Sequence, residues 1–249
     1  METHGLMADR ALLSRTSTAD RVAEILRSRI TQGYFPPGAR LAEDEITEAL
    51  GISRNTLREA FRLLTHERLL VHELNRGVFV RVPDVADVKD IYRVRKYVEC
   101  SALRAVTRGP VVQGPVIQGT EGSPPPELSA IAAAVRQGQS ALAAQDWQAL
   151  GTADIEFHEA IAGLTGSERI AELMRGVLAE LRLVFHIMDN PRWFHEPYLA
   201  RNEEILAALT SGNGEHAEGL LYKYLEDAEQ QLLSAYGSAY TLKLAEHLK

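Results

Sequence analysis

Val22, Ile25, Leu26 and Ile30 recur at intervals of three and four, which predicts an amphipathic helix from Thr18, a candidate N-cap, to Gly33. FPPG at 35–38 cannot continue it, because proline lacks the amide donor and fixes φ; the chain turns and presents Leu41 in an extended segment. A short helix is expected from about Glu43 to Leu50, closed by Gly51. Ser53 stands where an N-cap would start a third helix, about 54–67, with Leu57, Ala60, Phe61 and Leu64 on its apolar face. After Leu69 the pattern changes to short β-prone runs, LLVH and GVFVRV, separated by ELNR and Gly77, which reads as a two-stranded hairpin.

Three helices and a hairpin in this order predict a winged helix-turn-helix over 17–82, preceded by a tail at 1–16 without sustained period. Pro83 and the DVADV segment suggest a linker at 83–86. From 87 to 249 the pattern is helical almost throughout, so the expected fold class is mostly α: a winged helix-turn-helix followed by an all-α bundle. Helices are expected near 87–108, 127–144, 146–165, 167–189, 195–210 and 214–247, with breakers such as Gly166, Pro191 and Gly212 to Gly214 between several of them. GPVVQGPVIQGTEGSPPP at 109–126 suits a surface loop; its two near-copies are too few for a solenoid.

A chain of 249 residues, 45% hydrophobic, has material for two cores. It has no eighteen-residue apolar run, and METHGLMADRALLSR lacks the apolar core and cleavage site of a secretory signal, so a cytoplasmic location without membrane contact is expected. The single cysteine, Cys100, excludes an intrachain disulfide and reads as an ordinary buried thiol. The net charge of −7 argues against DNA binding only until it is divided: residues 18–82 carry +1 and residues 83–249 carry −8. Within 53–82 six arginines face Glu59, Glu67 and Glu73, which concentrates positive charge on the third helix and the hairpin.

A recognition helix needs short polar or forked basic side chains in its first turn, because that end meets base edges and phosphates in the major groove. SRNTLREAFRLL supplies them. Ser53 suits a phosphate or the helix cap, Arg54 and Asn55 lie at the leading edge, and Arg58 sits one turn on from Arg54. Asn75-Arg76-Gly77 offers a guanidinium on a tight turn for a narrow minor groove or flanking phosphates. A solvated face pairing with Glu59 and Glu67 is the plainer reading of the same arginines. The stretch PPGARLAEDEITEALGISRNTLREAFRLL…RLL…NRGVFV, however, closely resembles the DNA-binding domain of GntR-family regulators over about sixty-five residues. The resemblance implies operator contacts from Ser53, Arg54, Asn55 and Arg58, with Arg76 and Gly77 at the wing tip, made by a homodimer on palindromic double-stranded DNA. One departure is that Asp44 follows Glu43 where relatives often carry a basic residue.

The second half resembles the FadR-type effector domain, or FCD domain, over about 87–235. DIYRVRKYVECSALRAV matches its opening helix, and the resemblance directs Arg95, four residues from Glu99, into a pocket. ADIEFHEAIAGLTG matches a helix on which Asp154 and His158, also four apart, can converge on one ion. Metal-dependent relatives add two histidines. The aligned positions here are Asn202, in ARNEEILAAL, and Tyr224, in LLYKYLEDA, both poor ligands for Zn²⁺ or Ni²⁺. Asp154 and His158 are thus the metal candidates, no cofactor is required, and an organic effector held by Arg95, Asp154, His158, Asn202 and Tyr224 is the favoured expectation, an anionic carboxylate by the arginine. A surface pair is the bland reading of Asp154 and His158. His186, Trp147, Trp193 and Phe194 read as packing residues.

These readings add up to a ligand-responsive DNA-binding repressor. An enzyme or metal-dependent hydrolase in the helical half is the alternative, but no nucleophile elbow, phosphate loop or HExxH helix is present. A purely structural helical protein would leave the arginine-bearing helix and wing unexplained.

Overall fold

The computed structural model describes residues 17–107, 128–188 and 191–247; the side chains of 106–107, 191 and 236–247 are not described. The chain divides into two compact units, one ending at Val82 and the other beginning at Pro83.

In the first unit, α1 (Thr18–Thr31) starts one residue earlier than the pattern suggests. The N-cap is Ser17, not Thr18: its hydroxyl accepts from the Asp20 amide at 3.1 Å and the Asp20 carboxylate accepts from the Ser17 amide at 3.0 Å. Val22, Leu26 and Ile30 are buried, whereas Ile25 is exposed. α2 (Glu43–Leu50) ends at Gly51, whose φ of 63° is the left-handed turn that glycine adopts without steric cost. α3 (Arg54–His66) is capped by Ser53, which accepts from the Thr56 amide, and buries Leu57, Ala60, Phe61 and Leu64 as the pattern requires.

The hairpin β2 (Leu70–Glu73) and β3 (Gly77–Val80) gains a third strand, β1 (Arg40–Leu41), in the antiparallel order β1-β3-β2. The two-stranded expectation is corrected because the extended segment after FPPG pairs, with Leu41 opposite Val78 and the Val80 amide donating to the Ala39 carbonyl at 2.9 Å. The loop at 74–76 is tight, and Asn75, at φ 62°, takes the left-handed conformation that asparagine tolerates.

The second unit is a bundle of α4 (Val85–Thr107), α5 (Ser129–Ala143), α6 (Trp147–Gly163), α7 (Glu168–Ile187), α8 (Pro191–Thr210) and α9 (Gly214–His247). The predicted loop at 109–126 lies outside the described residues. α4 absorbs half of the expected 83–86 linker: the Asp84 and Asp87 side chains each accept the other's backbone amide, at 2.9 and 2.8 Å, so the helix starts at Val85. α8 begins at Pro191, not near 195, because a first-turn proline forfeits no intrahelical hydrogen bond. α6 packs against α4, α5, α7 and α8 and buries residues on more than one face, as its apolar sequence demands. It is the central helix.

Candidate functional site

The solvent face of α3 keeps its arginines accessible. The side chains of Arg54, Arg58 and Arg62 are 67, 65 and 70% exposed, and Asn55 is exposed beside them. None is sequestered in the core, yet each guanidinium has an acidic partner: Arg54 with Asp44 at 2.8 Å, Arg58 with Glu43 at 3.3 Å, and Arg62 with Glu59 at 2.6 Å. At the wing Arg76 pairs with Glu73 and lies over the Phe79 ring at 5.3 Å. Leu74, given no role by the sequence pattern, is exposed at the tip. Surface pairs of this kind hold weakly in water, so the arginines stay available to a stronger anionic partner.

The bundle interior holds a second polar cluster. Arg95 and Glu99 of α4 are both buried and paired, with Arg95 Nε donating to Glu99 Oε1 at 2.8 Å. The other Glu99 oxygen meets His158 Nδ1 at 2.6 Å, so a carboxylate orients the imidazole and leaves Nε2 directed elsewhere. Burial pushes the Glu99 carboxyl up, but the charges of Arg95 and His158 outweigh it and hold it below its usual range.

His158 Nε2 then stands 4.0 Å from Asp154 Oδ1, an oxygen that accepts from the Tyr224 hydroxyl at 2.8 Å and the Asn202 amide at 3.0 Å. Asp154 is buried too. Burial raises its pKa, while His158, His195 and these two donors prevail and lower it. The five pocket residues expected from the sequence are thus brought together: Arg95, Asp154, His158, Asn202 and Tyr224. Four buried polar atoms of the cluster lack any hydrogen-bond partner, namely Arg95 Nη2, His158 Nε2, His195 Nδ1 and Asn202 Oδ1. Since an orphaned buried polar group is costly, four such atoms in one cluster set it apart from the apolar core around it.

His195 and Arg182 were missed by the sequence reading. His195 Nδ1 lies 3.9 Å from Asp154 Oδ2, and burial, assisted by Arg182, brings its pKa down to about 4. Space for the ring comes from Gly151, where an added Cβ would stand 2.7 Å from His195 Nε2. Burial likewise lowers the pKa of Arg182, with Asp154 the foremost charge opposing it. A histidine forty-one residues from its carboxylate carries no spacing signal; a glycine inside an apolar helix was the one available hint.

The donor set does not fit a metal ion. Asp154 Oδ1 is already engaged by two donors, Asn202 turns its amide nitrogen to that oxygen, and Tyr224, driven well above the usual tyrosine pKa by burial and by Asp154, stays a phenol. Among the described residues no group of three or more His, Cys, Asp or Glu is arranged to hold one. Cys100 is buried, and burial raises its thiol to about 12. Phe194 packs in the core, whereas Trp193 is half exposed.

A winged helix-turn-helix with an arginine-bearing third helix, joined to a helical bundle with a buried polar cluster, defines a DNA-binding regulator of transcription. The family model for bacterial regulatory proteins of the gntR family matches residues 18–80, and the FCD domain model matches 116–227. A GntR-type transcriptional regulator from Rhodococcus sp. RHA1, solved by crystallography, is 50% identical, is covered in full by 89% of this chain, and superposes with a TM-score of 0.78. An HTH-type transcriptional regulator of Streptomyces ambofaciens is 30% identical over 198 residues, 76% of this chain and 73% of that protein. The galactonate operon transcriptional repressor of Escherichia coli is 29% identical over 174 residues, 67% and 75% of the two chains. The protein belongs to the GntR family of bacterial regulators and carries an FCD domain. No described helix is long and apolar enough to cross a membrane.

Proposed function

We propose that this regulator is a cytoplasmic homodimeric repressor whose bundle binds a small carboxylate-bearing effector and thereby modulates its hold on a palindromic operator. Ser53, Arg54, Asn55 and Arg58 would enter the major groove of each half-site, with Arg76 and Gly77 at the flanking minor groove. The observation that carries the effector half is the set of four unpartnered buried polar atoms around Asp154. Arg95 Nη2 and the N–H of a neutral His195 imidazole supply donors for a carboxylate, while Asn202 Oδ1 accepts from a hydroxyl beside it. The balance favours an organic ligand over an ion, and no feature of the chamber supplies a nucleophile for the enzyme alternative.

Fluorescence anisotropy with labelled DNA from upstream of its own gene tests this directly. Sequence-selective binding is expected at physiological salt, weakened or strengthened by one member of a panel of small hydroxy- and dicarboxylates. The Asn202→Ala and His158→Ala variants should keep DNA binding and lose the response. Equal affinity for operator and scrambled duplex would remove the specific-regulator reading. An unchanged carboxylate response in both variants would remove the chamber.

A further inference from the structure

The two arginines at the leading edge of α3 are both held by the first turn of α2. Asp44 Oδ1 takes Arg54 Nη2 at 2.8 Å and Glu43 Oε2 takes Arg58 Nε at 3.3 Å. The pairs cross between helices, ten and fifteen residues apart in sequence, so they are a product of the fold and not of helical periodicity. Asp44 lies largely in solvent, its side chain 79% exposed. We propose that Asp44 and Glu43 determine DNA specificity: they occupy Arg54 and Arg58 on the free protein and compete with the phosphates of arbitrary duplex for them. The proposal rests on the reading of α3 as the DNA-contacting helix.

DNA binding by these arginines is an exchange of one anionic partner for another. Binding to any duplex gains mainly by neutralising phosphates and releasing their counterions, and an arginine already paired with a carboxylate has less to gain from that exchange. A correctly placed guanine offers two acceptors in the plane of the guanidinium, a contact that a weak solvent-exposed pair yields to. The acidic partners therefore tax non-specific binding more heavily than operator binding, and the discrimination between the two rises. The charge of this unit fits the same picture, since Arg54, Arg58, Arg62 and Arg76 each have a carboxylate partner.

A plainer role exists for the same carboxylates. The N-terminus of α2 has no side-chain cap at Ala42, and Glu43, Asp44 and Glu45 all favour the positive end of that helix. Glu45 separates the two explanations, because it is exposed in the same turn with no arginine among its described ion pairs.

The test measures the full-length protein against a random-sequence duplex of about 24 base pairs over a salt series, by anisotropy. Asp44→Asn and Glu43→Gln are each expected to bind it roughly three- to tenfold more tightly at low salt and to steepen the log–log salt dependence by about 0.9 for each arginine released. Glu45→Gln should give less than half of that gain, and the gain of Asp44→Asn should vanish in an Arg54→Ala background. Melting temperatures run alongside confirm that the variants are folded. A matching effect from Glu45→Gln, or salt slopes for Asp44→Asn and Glu43→Gln identical to that of the unaltered protein, overturns the proposal. If Arg54→Ala and Arg58→Ala alone leave both affinity and slope unchanged, the failure lies instead in the assignment of α3 to DNA.

Discussion

His195 shows how much one buried side chain can report. Its imidazole is 4% exposed and titrates near 4, against about 6.5 in the unfolded chain. Between those values the unfolded state binds a proton that the folded state refuses, so stability falls as pH drops from about 6.5 toward 4. The loss should reach on the order of 2 kcal/mol at pH 5. Denaturant melts at pH 7 and pH 5 check it: His195→Gln should narrow the difference between the two, and an unchanged difference would mean that other groups set it. Asp154 and Glu99 act in a lower window. Their depressed pKa values add stability above the unfolded carboxylate range, and that stability is lost only as pH falls through their folded values. Asp154 and His158, and Arg95 and Glu99, were readable from the sequence because four residues bring two side chains to one helix face. His195 was not, because its relation to Asp154 is made by α6 packing on α8.

Among the elements, α6 decides the most. Gly151 places no side chain against His195, and this sets how closely α8 approaches. Gly151→Ala gains about 1 kcal/mol in helix propensity, but a Cβ at 2.7 Å from Nε2 forces a shift that costs about 1–3 kcal/mol. The second effect wins, so a net loss is expected in urea unfolding, with duplex DNA affinity unaltered. Combining Gly151→Ala with His195→Ala should restore the propensity gain, and a double variant no more stable than Gly151→Ala alone would place the strain elsewhere. Most helices were legible to within a few residues, since apolar spacing and caps such as Ser53 are local. Misjudged starts had local causes of another kind: Ser17 with Asp20, and Asp84 with Asp87, are reciprocal caps whose partners choose the boundary. The third strand was missed because two residues of β1 carry too short a pattern, and only the distant β3 gives them a ladder.

The whole molecule carries two compact units along a single chain, and the proposed function requires that DNA binding by the first be coupled to effector binding by the second. Thermodynamic linkage makes any such coupling reciprocal: a carboxylate that weakens operator binding by a given factor must itself bind the operator complex more weakly by the same factor. Titrating the effector into free protein and into the preformed operator complex measures both sides. Equal factors are expected, and Asn202→Ala should bring both to unity. An effector whose affinity ignores the presence of DNA while altering operator binding would point to an additional bound species.

Local order in this protein follows from amino-acid pattern: which segments are helical, where the arginine-bearing helix starts, and which residues carry chemistry on one helix face. Those features depend on neighbours within about one turn, a range over which spacing and capping are decisive. Encounters between helices obey no such rule. That Asp44 and Glu43 hold the arginines of α3, that Glu99 orients His158, and that His195 completes the ring around Asp154 depend on which surfaces meet, and packing of the whole core decides that.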